Sequence, residues 1–146
     1  MGIAEQNLYG VAAGLALSGK TVCASTFAMF ASGRAWEQIR NSICYSNFNV
    51  KIVATHGGIT VGEDGASHQM LEDVGLMRAI PNMLILVPAD SVEAKAMIEF
   101  AADYKGPVYI RLARTNLLTI NDENTFKFEV GKAFEVNPGT DITVIA

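Results

Sequence analysis

Lys51-Ile52-Val53-Ala54-Thr55-His56-Gly57-Gly58 is the stretch on which the reading of this chain turns. Its first five residues, mainly apolar and partly β-branched, read as a buried strand, and the glycines stop it. His56 therefore falls at the strand's C-terminal end, where open α/β sheets place ligand chemistry. The loop continues through Gly62-Glu63-Asp64-Gly65-Ala66-Ser67-His68-Gln69, which sets both histidines of the chain around an acidic, glycine-rich turn. Two imidazoles, two carboxylates and several glycines make poor core material, and glycine permits close approaches that side chains resist. The loop reads as a site.

Working outward, strand-like and helix-like patterns alternate. Residues Ala4 to Ser18, rich in Ala and Leu and stopped by Gly19, predict a helix. Thr21 to Thr26 predicts a strand, and Trp36, Ile39 and Ile43 give helical spacing across Ala31 to Ser46. Beyond the loop, Leu71 to Ile80 predicts a helix, Met83 to Val87 a strand and Val108 to Leu112 another. Between the last two, Asp90 with Glu93 resembles a capping box opening a helix whose buried face carries Met97, Phe100, Ala101 and Tyr104. This repetition implies an α/β fold, a three-layer sandwich with a mostly parallel sheet. Residues 1–120 form that domain. Residues 121–146 change character: an alternating run from Phe126 to Val136, a turn at Asn137-Pro138-Gly139, and an apolar strand from Asp141 to Ile145 that points to a linker and a further domain.

Composition narrows the function. The chain has 146 residues and a net charge of −4, and its 11 Lys and Arg are scattered, so a basic nucleic-acid face is not expected. Hydrophobic residues make up 50% and mean hydropathy is +0.25, more apolar than a small monomer needs, so partner chains are expected. No apolar run approaches the ~20 residues of a membrane span, and no signal-type leader opens the chain, which suggests a cytoplasmic protein. Cys23 and Cys44 lack metal-type spacing and read as buried free thiols, with a disulfide as the lesser possibility.

Gly2-Ile3-Ala4-Glu5-Gln6-Asn7, Thr26-Phe27-Ala28-Met29-Phe30, the His56 to Gln69 loop and Arg111-Leu112-Ala113-Arg114-Thr115-Asn116 occur in that order. Together they resemble the pyrimidine-binding domain of transketolases, which use thiamine diphosphate to move a two-carbon ketol unit between sugar phosphates. The resemblance runs along nearly the whole chain, although the family's first strand-and-helix unit has no counterpart before Gly2. It implies the domain type that binds the cofactor's aminopyrimidine. The diphosphate-binding domain, with a Gly-Asp-Gly motif that holds Mg2+ or Ca2+, has no match here. A diphosphate-binding partner domain or subunit is therefore implied, in a homo- or hetero-oligomer, with the isolated chain inactive.

The resemblance assigns roles. Glu5 matches the glutamate that hydrogen-bonds a ring nitrogen of the aminopyrimidine; burial would raise its pKa and keep a proton available. Its plain alternative is a first-turn glutamate favoured by the helix dipole. Phe27 and Phe30 match aromatics that pack on the cofactor, with Phe30 the stacking partner; as core residues they would look the same. His56 and His68 match histidines lining the substrate channel, where imidazole can bind hydroxyls and shuttle protons. Asp64 matches an aspartate on a donor-sugar hydroxyl, and Arg114 an arginine on the terminal phosphate.

Arg111 could instead form a buried ion pair, Arg34 and Arg40 read as solvated helix charges, and Trp36 as core or interface. A metal site of His56, Asp64 and His68 is the rival for the loop, against a spacing that fits no common metal pattern. Gly57-Gly58 stands where many microbial and plant enzymes carry Asp-Ser. Two further readings stay open: another thiamine diphosphate enzyme, such as deoxyxylulose-phosphate synthase or the β subunit of a 2-oxoacid dehydrogenase, and a non-catalytic truncated fragment.

Overall fold

A computed structural model describes residues 1–145. Helix α1 (Glu5–Leu17) leads into strand β1 (Val22–Phe27) through Gly19, whose φ of +86° suits only glycine well. Strands β2 (Val50–Thr55), β3 (Leu84–Leu86) and β4 (Val108–Arg111) complete one sheet in the order β1-β2-β4-β3, and every pairing is parallel. Ala24 lies opposite Ile52, and Ile52 opposite Tyr109, which fixes the register across the centre.

The pleat sorts residues into two cores. Val50, Ile52 and Ala54 of β2, Ala24 of β1 and Tyr109 of β4 face Tyr9, Ala12, Ala13 and Ala16 of α1, together with Ile39, Ile43 and Met77. On the opposite face, Val108 and Ile110 of β4 and Leu86 of β3 meet Met97 and Ala101 of helix α4 (Ser91–Asp103). Both faces of the central strands are thus covered, which is why β2 and β4 read as continuous apolar runs. β1 is covered on one face only: its Cys23 is exposed, contrary to the expectation of two buried thiols, while Cys44 is buried. Both thiols are free.

The helix expected over 31–46 is built differently. Trp36–Gln38 (α2) is a single α-turn between two π-helical segments, Phe30–Arg34 and Ile39–Cys44. The wider turns show in the bonds from Ala35 N to Phe30 O (3.2 Å) and from Tyr45 N to Arg40 O (3.0 Å). Short π segments of this kind concentrate at functional sites. Helix α3 (Asp73–Arg78) ties to this element where Trp36 Nε1 donates to Leu76 O at 3.1 Å.

Helix α4 begins as the sequence suggests, with the Asp90 side chain accepting from Glu93 N at 2.9 Å and the Glu93 carboxylate accepting from Ala89 N at 2.7 Å. Its C-terminal end is closed from a neighbouring strand: buried Lys51 of β2 donates to Tyr104 O and Gly106 O at 2.8 and 2.7 Å. Burial, with a smaller contribution from the charge of Lys105, pulls the pKa of the Lys51 ammonium down to about 8.

Residues 112–145 contain no helix and no strand. The strand expected over Asp141 to Ile145 is not formed: Ile142, Val144 and Ile145 are exposed, and no ladder partner pairs with them among the described residues. An apolar run becomes a strand only where another strand satisfies its backbone groups. The tail is nonetheless anchored. Ile120 N, Asn121 N and Asn121 Nδ2 all donate to Asp90 Oδ2, and Phe128 meets Phe100 edge to face at 5.4 Å.

Candidate active site

Three segments of the site leave the same, C-terminal edge of the sheet: Phe27 closes β1, His56 follows β2, and Arg114 lies three residues beyond β4. At His56 the backbone takes φ +60°, unusual for a residue with a side chain and a recurrent feature of functional sites. The turn lays the imidazole flat on Phe27, with ring centroids 3.7 Å apart and planes 17° from parallel. Its Nδ1 lies 2.9 Å from Thr55 Oγ1, which fixes the ring's rotation.

His68 approaches from the far end of the glycine loop and sets its ring edge to Phe27 at 6.2 Å and to Phe30 at 5.5 Å. Phe27 and Phe30 themselves are stacked at 6.1 Å. The loop's two ends are held together by an antiparallel bridge between Gly58 and Met70, with Gly58 N donating to Met70 O at 2.8 Å. Two histidines twelve residues apart therefore converge on one pair of phenylalanines.

Glu5 opens α1 and is buried, yet it meets a cation. Arg34 Nη1 donates to its Oε2 at 2.8 Å, and the same guanidinium lies over the Phe30 ring, 4.6 Å from its centroid. Burial alone would push the Glu5 carboxyl up; the Arg34 hydrogen bond, a backbone hydrogen bond and the Arg34 charge outweigh it and hold the pKa below the usual range. The raised pKa expected for this carboxyl is thus not what the structure gives, because Arg34 turns inward to pair with it instead of standing as a solvated helix charge. One turn along α1, the Tyr9 hydroxyl is buried without a hydrogen-bond partner among the described residues, and burial with the nearby Glu5 charge raises its pKa.

A second network underlies the loop. Buried Asp73 Oδ2 accepts from Tyr109 Oη at 2.8 Å and from Arg111 Nε at 2.9 Å, while Arg111 Nη2 donates to Met70 O at 3.2 Å. Arg111 is therefore the buried ion pair allowed for in the sequence. Its stem runs directly beneath Gly57, where a Cβ would lie 2.7 Å from Arg111 Nε and 2.8 Å from Cγ. That contact is the physical reason for glycine after His56: the space a side chain would need is filled by the arginine that braces the loop.

Arg114 and Asp64 stand on the rim. Arg114 packs across Gly62, and its Nη2 is 3.9 Å from Glu63 Oε2, a contact too long to fix the side chain. Asp64 is exposed on the 3₁₀ turn Gly62–Asp64 and makes no side-chain hydrogen bond among the described residues. No group of three His, Cys, Asp or Glu side chains is arranged to hold a metal ion among the described residues, so His56, Asp64 and His68 do not form a ready-made ligand set. No described helix is long and apolar enough to cross a membrane.

A parallel α/β domain that gathers a buried carboxylate, flat aromatic surface and two imidazoles near one sheet edge defines a small-molecule-binding class of protein. The chain belongs to the transketolase pyrimidine-binding domain family, whose model, described as transketolase, pyrimidine binding domain, matches residues 1–119. It is 58% identical over 99% of its length to a putative transketolase C-terminal section from Methanocaldococcus jannaschii, covering 46% of that protein. It is 39% identical, again over 99% of its length, to one of the subunits of an apulose-4-phosphate transketolase from Phocaeicola vulgatus, covering 46% of it. Among solved structures it resembles a split-gene transketolase described as an inactive β4 tetramer, with a TM-score of 0.80 and 55% identity over 90% of this chain and 42% of that one. The chain spans less than half the length of these relatives.

The family implies thiamine diphosphate, and the residues present suit its pyrimidine end. In the structure a flat, N–H-donating cation already lies on Phe30 and pairs with Glu5, which is the pattern of contacts an aminopyrimidine would need. The Arg34 pairing and the Asp73–Tyr109–Arg111 network are not legible in the sequence alone. For Arg34 a signal existed, since it stands four residues after Phe30 and so on the same side of a helical turn.

Proposed function

We propose that this chain supplies the pyrimidine-binding part of a transketolase, which transfers a two-carbon ketol unit between sugar phosphates and acts only with a diphosphate-binding partner. The buried Glu5 carboxylate and the Phe30 ring carry the reading, because the one Arg34 guanidinium reaches both, and a planar N–H donor such as an aminopyrimidine can pair and stack there in the same way. Bound thiamine diphosphate supplies the electron sink for cleaving and rejoining the carbon skeleton.

The chain's own residues bind and orient. Glu5 hydrogen-bonds a nitrogen of the aminopyrimidine and holds the proton that ring needs, while Phe27 and Phe30 provide the flat wall. His56 and His68 border that wall with ring nitrogens able to bind ketose hydroxyls and to move protons between them. Asp64 contacts a donor-sugar hydroxyl, and the Arg114 guanidinium receives the terminal phosphate as a planar fork. The metal, Mg2+ or Ca2+, is held by the partner. Residues 1–120 are the working domain.

Relatives described as a section or a subunit of a transketolase support a partner chain, and an inactive β4 assembly of a similar chain supports inactivity without one. The test is recovery of the chain with its partners from its own cells, followed by a ketol-transfer assay with thiamine diphosphate and Mg2+. Activity in the recovered assembly that Glu5→Gln reduces at least a hundredfold is expected. Recovery of the chain alone and inactive, or activity on a 2-oxoacid instead, overturns the reading.

A further inference from the structure

Arg34 makes two contacts at once in the candidate site. Its Nη1 pairs with Glu5 Oε2 at 2.8 Å, and its guanidinium covers the Phe30 face at 4.6 Å. Glu5 is buried and its side chain is 7% exposed, whereas the Arg34 side chain is 47% exposed. The carboxylate is fixed by the fold, and the arginine reaches it from solvent at the end of a flexible stem. The backbone beneath Arg34 is the π-helical turn Phe30–Arg34, and Gly33 beside it has only Met29 Sδ, at 3.9 Å, near where a Cβ would stand. The half-exposed Arg34 side chain has solvent to swing into.

A guanidinium is planar, donates N–H groups in its own plane and stacks on aromatic rings. An aminopyrimidine is planar and donates N–H from its amino group, and it stacks in the same way. Both would use the Phe30 face that Arg34 covers and the Glu5 carboxylate that it pairs with, so the ring and the guanidinium compete for one place. Glu5 held ionised by Arg34 is also a poor proton holder for a ring nitrogen.

We propose that Arg34 is a place-holder for the cofactor's aminopyrimidine, paired with Glu5 and stacked on Phe30 until the ring displaces it. The proposal rests on the pyrimidine-binding role of Glu5 and Phe30. Arg34 keeps the buried carboxylate paired and the aromatic wall covered, and it must swing to solvent before the site can work. It is a positioning residue, and it lowers the affinity of the site for the ring it imitates.

The test uses the full chain and 4-amino-5-hydroxymethyl-2-methylpyrimidine, a ring that needs no diphosphate domain. Binding is followed by NMR at the His56 and His68 ring protons in the wild type, R34A and R34K. R34A is expected to bind about fivefold more tightly, the equivalent of about 1 kcal/mol. R34K, which keeps the charge but cannot stack flat, should fall between. In the wild type, the ion-paired Arg34 guanidinium signals, assigned by their loss in R34A, should change to those of a free side chain as the ring is added. Equal or weaker binding by R34A, or guanidinium signals that do not move, overturns the place-holder while leaving pyrimidine binding intact. If the ring binds none of the three forms, the pyrimidine-binding reading falls and the place-holder with it. Thermal unfolding checks that both variants fold.

Discussion

At His56 the residue scale shows how a strained backbone is retained. A φ of +60° with a bulky side chain costs of order 1 kcal/mol, and the surrounding contacts must over-determine it. They do so from below: Arg111 braces the loop through Asp73 and Met70, and its stem fills the volume under Gly57. Gly57→Ala should force the Arg111 stem aside and cost about 2 kcal/mol, read as a lower midpoint in urea unfolding. An unchanged midpoint would mean that Arg111 yields freely. Neither the glycine nor the arginine announces this in the sequence, because the two are more than fifty residues apart and only sheet pairing joins them. The histidines, by contrast, were legible, since a glycine-rich turn at the end of an apolar strand is a local signal.

At the scale of elements, α4 shows one end written locally and one end written by a neighbour. Asp90 and Glu93 close the N-terminus as a capping box, and Asp90 Oδ2 also collects the Ile120 and Asn121 amides. Burial would push the Asp90 carboxyl up, but the donated N–H groups of Glu93, Asn121 and Ile120 and the Asn121 side chain hold it at about 2. Its unfolded value lies near 3.9, so the group binds fewer protons folded than unfolded. Its stabilisation is therefore complete above about pH 4 and is lost as the pH falls towards 2. Asp90→Ala should lower stability by about 2 kcal/mol at pH 7 and remove most of that acid-side slope. Chemical unfolding of both proteins at pH 7, 4 and 3 checks this; parallel loss of stability in the two would refute it. The other end of α4 depends on Lys51, a strand residue that reads as an interruption of an apolar run until the fold places it under the helix carbonyls.

The whole molecule is a sheet covered fully on one face and partly on the other. Helix α4 shields β3 and β4, while the outward-facing Cys23 of β1 remains exposed and Cys44 lies at no measurable exposure in the main core. Burial pushes the Cys44 thiol up to about 12, so it is both shielded and protonated at neutral pH. A disulfide-exchange reagent should therefore label one thiol in the native chain and the second only at the rate of unfolding. Rapid labelling of both would contradict the burial of Cys44. Exposed apolar residues at both ends of the chain, including Ile3, Leu17, Ile142 and Ile145, add to the surface available to other polypeptides.

The sequence by itself determined the parallel α/β architecture and the family, because hydrophobic period, glycine placement and motif order are local or ordered along the chain. Strand boundaries fell within a residue or so of those expected, since apolar runs bounded by Gly and Pro leave few alternatives. Only the tertiary structure decided which charges meet. It turned Arg34 from a solvated helix charge into the partner of Glu5 and so reversed the expected direction of that carboxyl's pKa. It also denied the Asp141–Ile145 run the strand its pattern suggests. The physical reason is the same in each case: an ion pair and a β-ladder are relations between distant segments, fixed by packing and by the supply of partners rather than by the residues' own preferences.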